Sequence, residues 1–283
     1  MTMTTALRVA FQGEAGAFSE SAARRLLGEP LATVPCLTFE DMFAAVTGGG
    51  ADCCIAPIEN SLAGSIHRNY DLLLDSGLTI AGETNLRVVH NLIAPRGVEL
   101  GDVRRVYSHP VALAQCTRFL AAHPEIEPVP VHDTAGAVRL VVEQGRGDAA
   151  AIASDSAAEI YGARVLERSI EDNAQNFTRF LLLLPTDAQP PQLREPARRW
   201  KTSLMFRTVN KPGALFRALG VFAIFDIDLS KIESRPIEGR PWEYAFYLDI
   251  VGQREDPTIA RALANLGEIS EMVKLLGSYP TRW

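Results

Sequence analysis

No stretch of this sequence stays apolar over the length that a membrane crossing needs. Residues 1–6 are small and polar, without a basic start followed by an apolar core, so they do not read as a signal peptide. Cysteine is scarce as well. The four cysteines (Cys36, Cys53, Cys54, Cys116) show neither metal nor redox spacing and read as reduced, mostly buried thiols of a cytoplasmic protein. Basic charge is in deficit: a formal net charge of -6 argues against nucleic acid as a partner, because phosphate binding needs a basic stripe. No P-loop, zinc-binding helix or serine elbow appears, so nucleotide, metal and acyl-enzyme chemistry lack support. There is no internal repeat and no low-complexity tract longer than Gly48-Gly49-Gly50.

What is present is length and apolar content, 283 residues at 47% hydrophobic, enough for two or three folded units. Short apolar runs (7–12, 53–57) alternate with helical patterns (19–27, 66–74). That order predicts an α/β unit with parallel strands and crossover helices. The alternation recurs at 88–94, 105–108, 111–122, 129–131, 134–143 and 149–153, and a strand over 179–184 closes the unit. A proline-rich stretch over 186–199 reads as an extended linker between a first domain, 1–185, and a second, 200–283. Beyond it, strands over 202–209, 228–234, 243–251 and 271–279 and helices over 212–225 and 257–266 spell β-α-β-β-α-β, the ferredoxin-like order. A turn is expected around Glu238-Gly239-Arg240.

Four segments carry chemical promise. Gly13-Glu14-Ala15-Gly16-Ala17-Phe18-Ser19-Glu20 ends a strand in glycines and opens a helix with Ser19 as a plausible cap. It reads either as a cradle for an anion at a helix N-terminus or as a plain capped turn. Pro57-Ile58-Glu59-Asn60-Ser61-Leu62-Ala63-Gly64 follows a strand, where open α/β sheets bind ligands, yet Asn60 or Ser61 would equally serve as a helix cap with Glu59 solvated. Tyr107-Ser108-His109-Pro110, with Gln115 and Cys116 on the following helix, offers His109 as an acid or base, or merely as a turn residue. Asn176-Phe177-Thr178-Arg179-Phe180 brings polar residues into an apolar strand. An arginine there suits a two-pronged grip on a carboxylate, and the alternative is an arginine paired with a neighbouring acid. The sequon Asn176-Phe177-Thr178 and the tripeptide Arg146-Gly147-Asp148 carry no function on this reading; the latter is a turn.

Taken in order, these segments resemble the prephenate dehydratase family, with Thr178-Arg179-Phe180 matching its signature. The second domain resembles the ACT regulatory domain through Asn210-Lys211-Pro212-Gly213-Ala214-Leu215 and Glu233-Ser234-Arg235-Pro236. Val111 departs from the glutamine that many relatives place after the His-Pro pair. The resemblance implies an α/β catalytic domain of two lobes, like periplasmic binding proteins, whose chain crosses between lobes near 80–90 and 165–175, followed by a ferredoxin-like (βαββαβ) ACT domain. It also implies a monofunctional chain with no chorismate mutase region. The implied substrate is prephenate, or arogenate as the rival. The implied catalytic set is Thr178, Arg179, Asn60, Ser108 and Gln115, with Glu59, Ser61, Phe180, Thr134 and Asn176 as substrate contacts. Arg179 would grip a substrate carboxylate and Thr178 would donate toward the departing hydroxyl. Phenylalanine would bind at Asn210, Pro212, Gly213, Ala214, Leu215, Glu233, Ser234, Arg235 and Pro236 in a homodimer or homotetramer. No cofactor, metal, nucleic acid or membrane is implied. A rival from another class is an amino-acid-sensing binding protein without catalysis.

Overall fold

The computed structural model describes residues 6–237 and 239–282. The chain opens with β1 (Leu7–Gln12), α1 (Phe18–Leu27), β2 (Leu31–Cys36), α2 (Phe39–Thr47), β3 (Cys53–Asn60), β4 (Gly64–Ser65), α3 (His67–Asp75) and β5 (Leu78–Arg87). It crosses to a second lobe of β6 (Asn91–Ala94), a 3-10 turn (Leu100–Asp102), β7 (Arg105–Ser108), α4 (Pro110–Ala114), α5 (Thr117–Ala122), β8 (Glu127–Pro130), α6 (Thr134–Gln144), β9 (Ala149–Ala153), α7 (Asp155–Ile160) and β10 (Arg164–Glu167). It then returns to the first lobe as β11 (Phe177–Pro185). The lobes are thus joined by two strand-like passages, tied together where Val88 N–H donates to the Asn176 carbonyl and Ile170 N–H to the His90 carbonyl.

The first sheet runs β2-β1-β3-β11-β5 with β4 on the side of β3, and the second runs β10-β6-β9-β7-β8. Both are mixed rather than parallel. The returning strand β11 lies antiparallel to β3 and β5, and β6 lies antiparallel to β9 and β10. The reading from periodicity also passes over β2, α2, β5, α7 and β10. Strand β2 is an edge strand with Pro35 in it and little burial, and β5 mixes Gly82, Glu83 and Thr84 into its run, so neither shows the apolar stripe that marks a core strand. In β9 the run Ala149–Ala153 is fully buried, and its small side chains let α6 lie close to the sheet.

The third sheet, after the linker, is built from β12 (Arg199–Arg207), α8 (Ala214–Ile224), β13 (Leu229–Ile237), β14 (Arg240–Val251), α9 (Pro257–Ile269) and β15 (Met272–Thr281). Its order β13-β14-β12-β15 is all antiparallel, the arrangement expected of a ferredoxin-like unit. Of the turn between β13 and β14, Gly239 has φ 72 and Glu238 lies outside the described residues.

Strand β11 divides two cores by its period of two. Phe180, Leu182 and Leu184 join the core shared by the two lobes, whereas Leu181 and Leu183 join one shared with the third sheet, beside Met205, Tyr247, Leu276 and Tyr279. Contact with the third sheet is close: a methyl group added at Gly277 would stand 2.3 Å from the Ile80 carbonyl oxygen. No helix among the described residues is long and apolar enough to cross a membrane.

Candidate active site

A cleft of about 510 Å³ opens between the lobes, a volume suited to one small metabolite. Asn60, Thr178, Phe180, Phe18 and Ser19 line it from the first lobe; Gln115, His109, His132 and Thr134 line it from the second, with His90 at the passage between them. Among the described residues no lysine or arginine lines it. Two helices of full length begin at its wall instead: α1 after Ala17 and α6 after Asp133, whose carboxylate accepts the Gly136 N–H at 2.7 Å. Helix starts present unpaired N–H groups and a partial positive charge. Ser19 does not cap α1, because the helix already begins at Phe18; Ser19 sits buried inside its first turn.

A bulge fixes which residues of β3 reach the cleft. Arg179 pairs with Glu59 and Phe180 with Pro57, leaving Ile58 as the extra residue. Pro57 therefore faces the cleft, Ile58 and Glu59 both face the third sheet, and Asn60 turns back to the cleft beside Thr178. Asn60 caps no helix, since α3 starts only at His67. Its Oδ1 accepts the N–H groups of Leu62 (3.0 Å) and Ala63 (2.8 Å), which fixes its Nδ2 as the outward donor.

From this anchor the polarity of a hydrogen-bonded chain follows. Asn60 Nδ2 donates to Asn176 Oδ1 at 2.8 Å and to Thr178 Oγ1 at 2.9 Å. Asn176 Nδ2 then donates to Gln115 Oε1 at 2.9 Å, and that same oxygen lies 2.9 Å from His90 Nε2. The Thr178 hydroxyl thus accepts from the protein and keeps its own proton for whatever occupies the cleft. Gln115 likewise keeps its Nε2 hydrogens.

Several expected site residues stand elsewhere. Arg179 is the main correction. Next to Thr178 on a strand, it points to the opposite face, where its guanidinium donates to Glu83 (2.7 Å), Asp249 (2.5 Å) and Tyr279 (3.0 Å). Lys201 joins at Glu83 (2.7 Å), so two cations and two carboxylates balance in the interface between the first lobe and the third sheet. Burial opposes the charge of Arg179, and Asp249 and Glu83 outweigh that opposition. It cannot grip a ligand in the cleft. Glu59 shares this fate, its carboxylate 2.9 Å from Lys231 Nζ. Ser61 is used up in tying the loop, donating to the Gln175 carbonyl and accepting from Phe177 N–H. Ser108 is fully buried and donates to the Ile152 carbonyl at 2.6 Å, joining β7 to β9. Asn176 is fully buried as well and acts within the chain rather than on the cleft wall. Thr134, Gln115, Thr178, Phe180 and Asn60 do line it.

His90 was absent from the expected set. Its signal was available: a histidine and an asparagine, His90 and Asn91, inside the otherwise apolar run 88–94, both nearly inaccessible in the fold. His109 caps α4 by accepting the Val111 N–H, and burial, then His132, holds its basicity below the ordinary histidine range.

On the third sheet, the loop holding Asn210, Pro212 and Gly213 (φ 77) leads into α8, which Ala214 and Leu215 open. Arg207 before this loop and Arg235 on β13 both pair with Ala245, so the two expected effector segments lie at one end of the sheet, one strand apart. The side chains of Glu233 and Arg235 point instead to the first lobe, to Ser65 (2.6 Å) and Asp71 (2.8 Å) respectively. Ser234 and Pro236 alternate with them along the strand.

Two lobes around a largely apolar cleft with a few convergent polar groups, lined by no lysine or arginine among the described residues and joined to a βαββαβ unit, define a cleft enzyme with an attached regulatory module. Comparison with known proteins narrows this class. Residues 9–188 match the prephenate dehydratase family and residues 202–268 the ACT domain. An Arabidopsis thaliana protein called arogenate dehydratase/prephenate dehydratase 2, chloroplastic, is 44% identical over 97% of this chain and 73% of its own. A Komagataeibacter europaeus protein, called bifunctional N-acyl-homoserine lactone acylase/prephenate dehydratase, is 41% identical over 96% of this chain and 95% of its own. The crystal structure of an Arthrobacter aurescens prephenate dehydratase in complex with L-Phe superposes with a TM-score of 0.85 at 33% identity, covering 97% of this chain and 90% of that one. The chain belongs to the prephenate dehydratase family, enzymes of the carbon-oxygen lyase class, and carries an ACT domain.

Proposed function

We propose that this chain converts prephenate to phenylpyruvate, with loss of carbon dioxide and water, for phenylalanine synthesis. One observation carries the reading: Asn60 fills the accepting side of the Thr178 hydroxyl and leaves its proton directed to a ligand. Prephenate loses its ring carboxylate as carbon dioxide while the electron pair of the breaking C–C bond completes the aromatic ring and expels the para hydroxyl as hydroxide, which takes up a proton. Aromatisation drives the step, and the protein's task is to hold two carboxylates and ease the departure of hydroxide. Thr178 donates a hydrogen bond to the leaving oxygen. Because an alcohol is a weak acid, positioning outweighs proton transfer. With Arg179 facing away, the N-terminal N–H groups of α1 are the groups suited to a carboxylate, aided by the side chains of Gln115 and Thr134, whereas the start of α6 is already taken by the Asp133 carboxylate.

Phenylalanine acts as the allosteric effector in this proposal, at the Asn210 to Leu215 loop and the backbone around Ser234, in a homodimer or homotetramer. Phe216 and Ile224 (each 80% exposed) and Trp242 (79%) give the ACT unit apolar surface that a second copy would cover. A cytoplasmic location accords with four free, buried thiols.

The test is phenylpyruvate formation by the purified chain from prephenate and from arogenate in parallel, read as the alkaline enolate, with and without phenylalanine. Turnover of prephenate suppressed by phenylalanine bears the proposal out; turnover of arogenate alone makes it an arogenate dehydratase, and no turnover of either returns it to the binding-protein reading.

A further inference from the structure

His90 is 2% exposed, on the passage where the chain leaves the first lobe, and the proposed dehydration assigns it no task. Its main chain is fixed on both sides. The N–H donates to Glu171 Oε2 at 3.0 Å and the carbonyl accepts from Ile170 N–H at 2.9 Å, so the ring is presented from the hinge rather than from a loop. The Phe18 ring stands edge-on to it, 5.7 Å between centres. One ring nitrogen has a partner, Gln115 Oε1 at 2.9 Å, and the other, Nδ1, is buried without one among the described residues.

The partners of the Gln115 oxygen bear on the ring's protonation. Gln115 Oε1 already accepts from Asn176 Nδ2, whose own orientation is dictated by Asn60. An oxygen cannot donate, so His90 Nε2 must carry the hydrogen, and in the neutral ring Nδ1 is bare. With two donors converging on its oxygen, the Gln115 carboxamide has one orientation left, in which its NH₂ group is free for a cleft ligand.

We infer that His90 is a positioning residue, held as the Nε2–H tautomer, that orients Gln115 so that its amide hydrogens face the substrate's oxygens. The ring touches Gln115, not the reacting atoms, and joins the second lobe, which carries Gln115, to the first, which carries Asn60 and Thr178. This role rests on the dehydration proposed above.

Two measurements test it. The first needs neither substrate nor turnover. In protein labelled with nitrogen-15 histidine, with the His90 signals identified by their loss in His90→Gln, Nε2 should be protonated and Nδ1 bare at neutral pH. The Nδ1–H tautomer would overturn the inference, whatever reaction the protein performs. The second is kinetic. His90→Leu should lower kcat about tenfold, the scale of one neutral hydrogen bond, with KM changed less than about threefold. His90→Gln, which keeps an N–H at similar reach, should recover most of that loss. In a Gln115→Ala background His90→Leu should add little, because the group it orients is gone. Independent, multiplying losses, or equal losses in His90→Leu and His90→Gln, would show that the ring acts only as packing. If the native chain turns over neither prephenate nor arogenate, the function proposed above fails while the tautomer still decides this inference.

Discussion

At the scale of single residues, the site depends on which hydrogen atoms are left over. Thr178 has its lone pair engaged by Asn60 and its proton free, so Thr178→Ser should retain most activity, while Thr178→Ala should lower kcat about a hundredfold with a smaller change in KM. Steady-state kinetics on both variants checks this; an unchanged kcat would remove Thr178 from the reaction. His90 makes a separate prediction about stability. Burial lowers its pKa from the ordinary 6.5, against the opposing pull of Gln115 and Glu171. The folded state therefore binds fewer protons than the unfolded one below that value. Above 6.5 the group contributes nothing to pH dependence; as pH falls below 6.5 the wild type should lose stability that His90→Gln keeps. Melting both proteins across that range should show the wild type falling faster, and parallel curves would mean that the ring charges freely in the fold.

At the scale of elements, β11 is the piece on which the enzyme turns, because its two faces serve different bodies. Thr178 and Phe180 look into the cleft while Arg179 looks into the ACT domain, one residue from the proposed chemistry. Arg179→Ala would leave Glu83 and Asp249 buried without their shared cation, which should cost about 3–5 kcal/mol. Its kinetic signature should follow from the loss of folding and of communication with the ACT domain, not from weaker carboxylate binding, so KM measured on the folded fraction should change little. The period of two was legible in the sequence and excludes Thr178 and Arg179 from sharing one site. Chemical aptitude for carboxylates pointed the other way, and geometry prevailed. What the sequence hid was the bulge at Ile58, since nothing in Pro57-Ile58-Glu59-Asn60 marks where an extra residue will fall. The order of elements in the ACT domain was legible to within a few residues, because its strands and helices carry clean apolar patterns. The mixed direction of the first sheet was not, because strand direction is decided by where the chain re-enters, between β3 and β5.

At the scale of the molecule, the catalytic lobes and the ACT domain share one apolar core and one buried ionic cluster. They should unfold together. All three tryptophans (Trp200, Trp242, Trp283) follow the linker in sequence, so fluorescence reports on the ACT part while far-ultraviolet circular dichroism reports on the whole. Coincident thermal transitions by the two probes are expected, and an earlier fluorescence transition would make the ACT domain an independent body. The cleft wall without lysine or arginine has a consequence for how substrate arrives. A dianion diffusing toward a protein of net charge -6 finds no lysine or arginine on that wall among the described residues, where Glu40 and Asp133 add carboxylates of its own sign. Mobile ions weaken that long-range repulsion, whose reach shrinks to about 10 Å in about 0.1 M salt. Encounter should therefore quicken with ionic strength, kcat/KM rising by up to about twofold between dilute buffer and about 0.2 M salt, whereas a site that steered its substrate with cations would slow down over the same range.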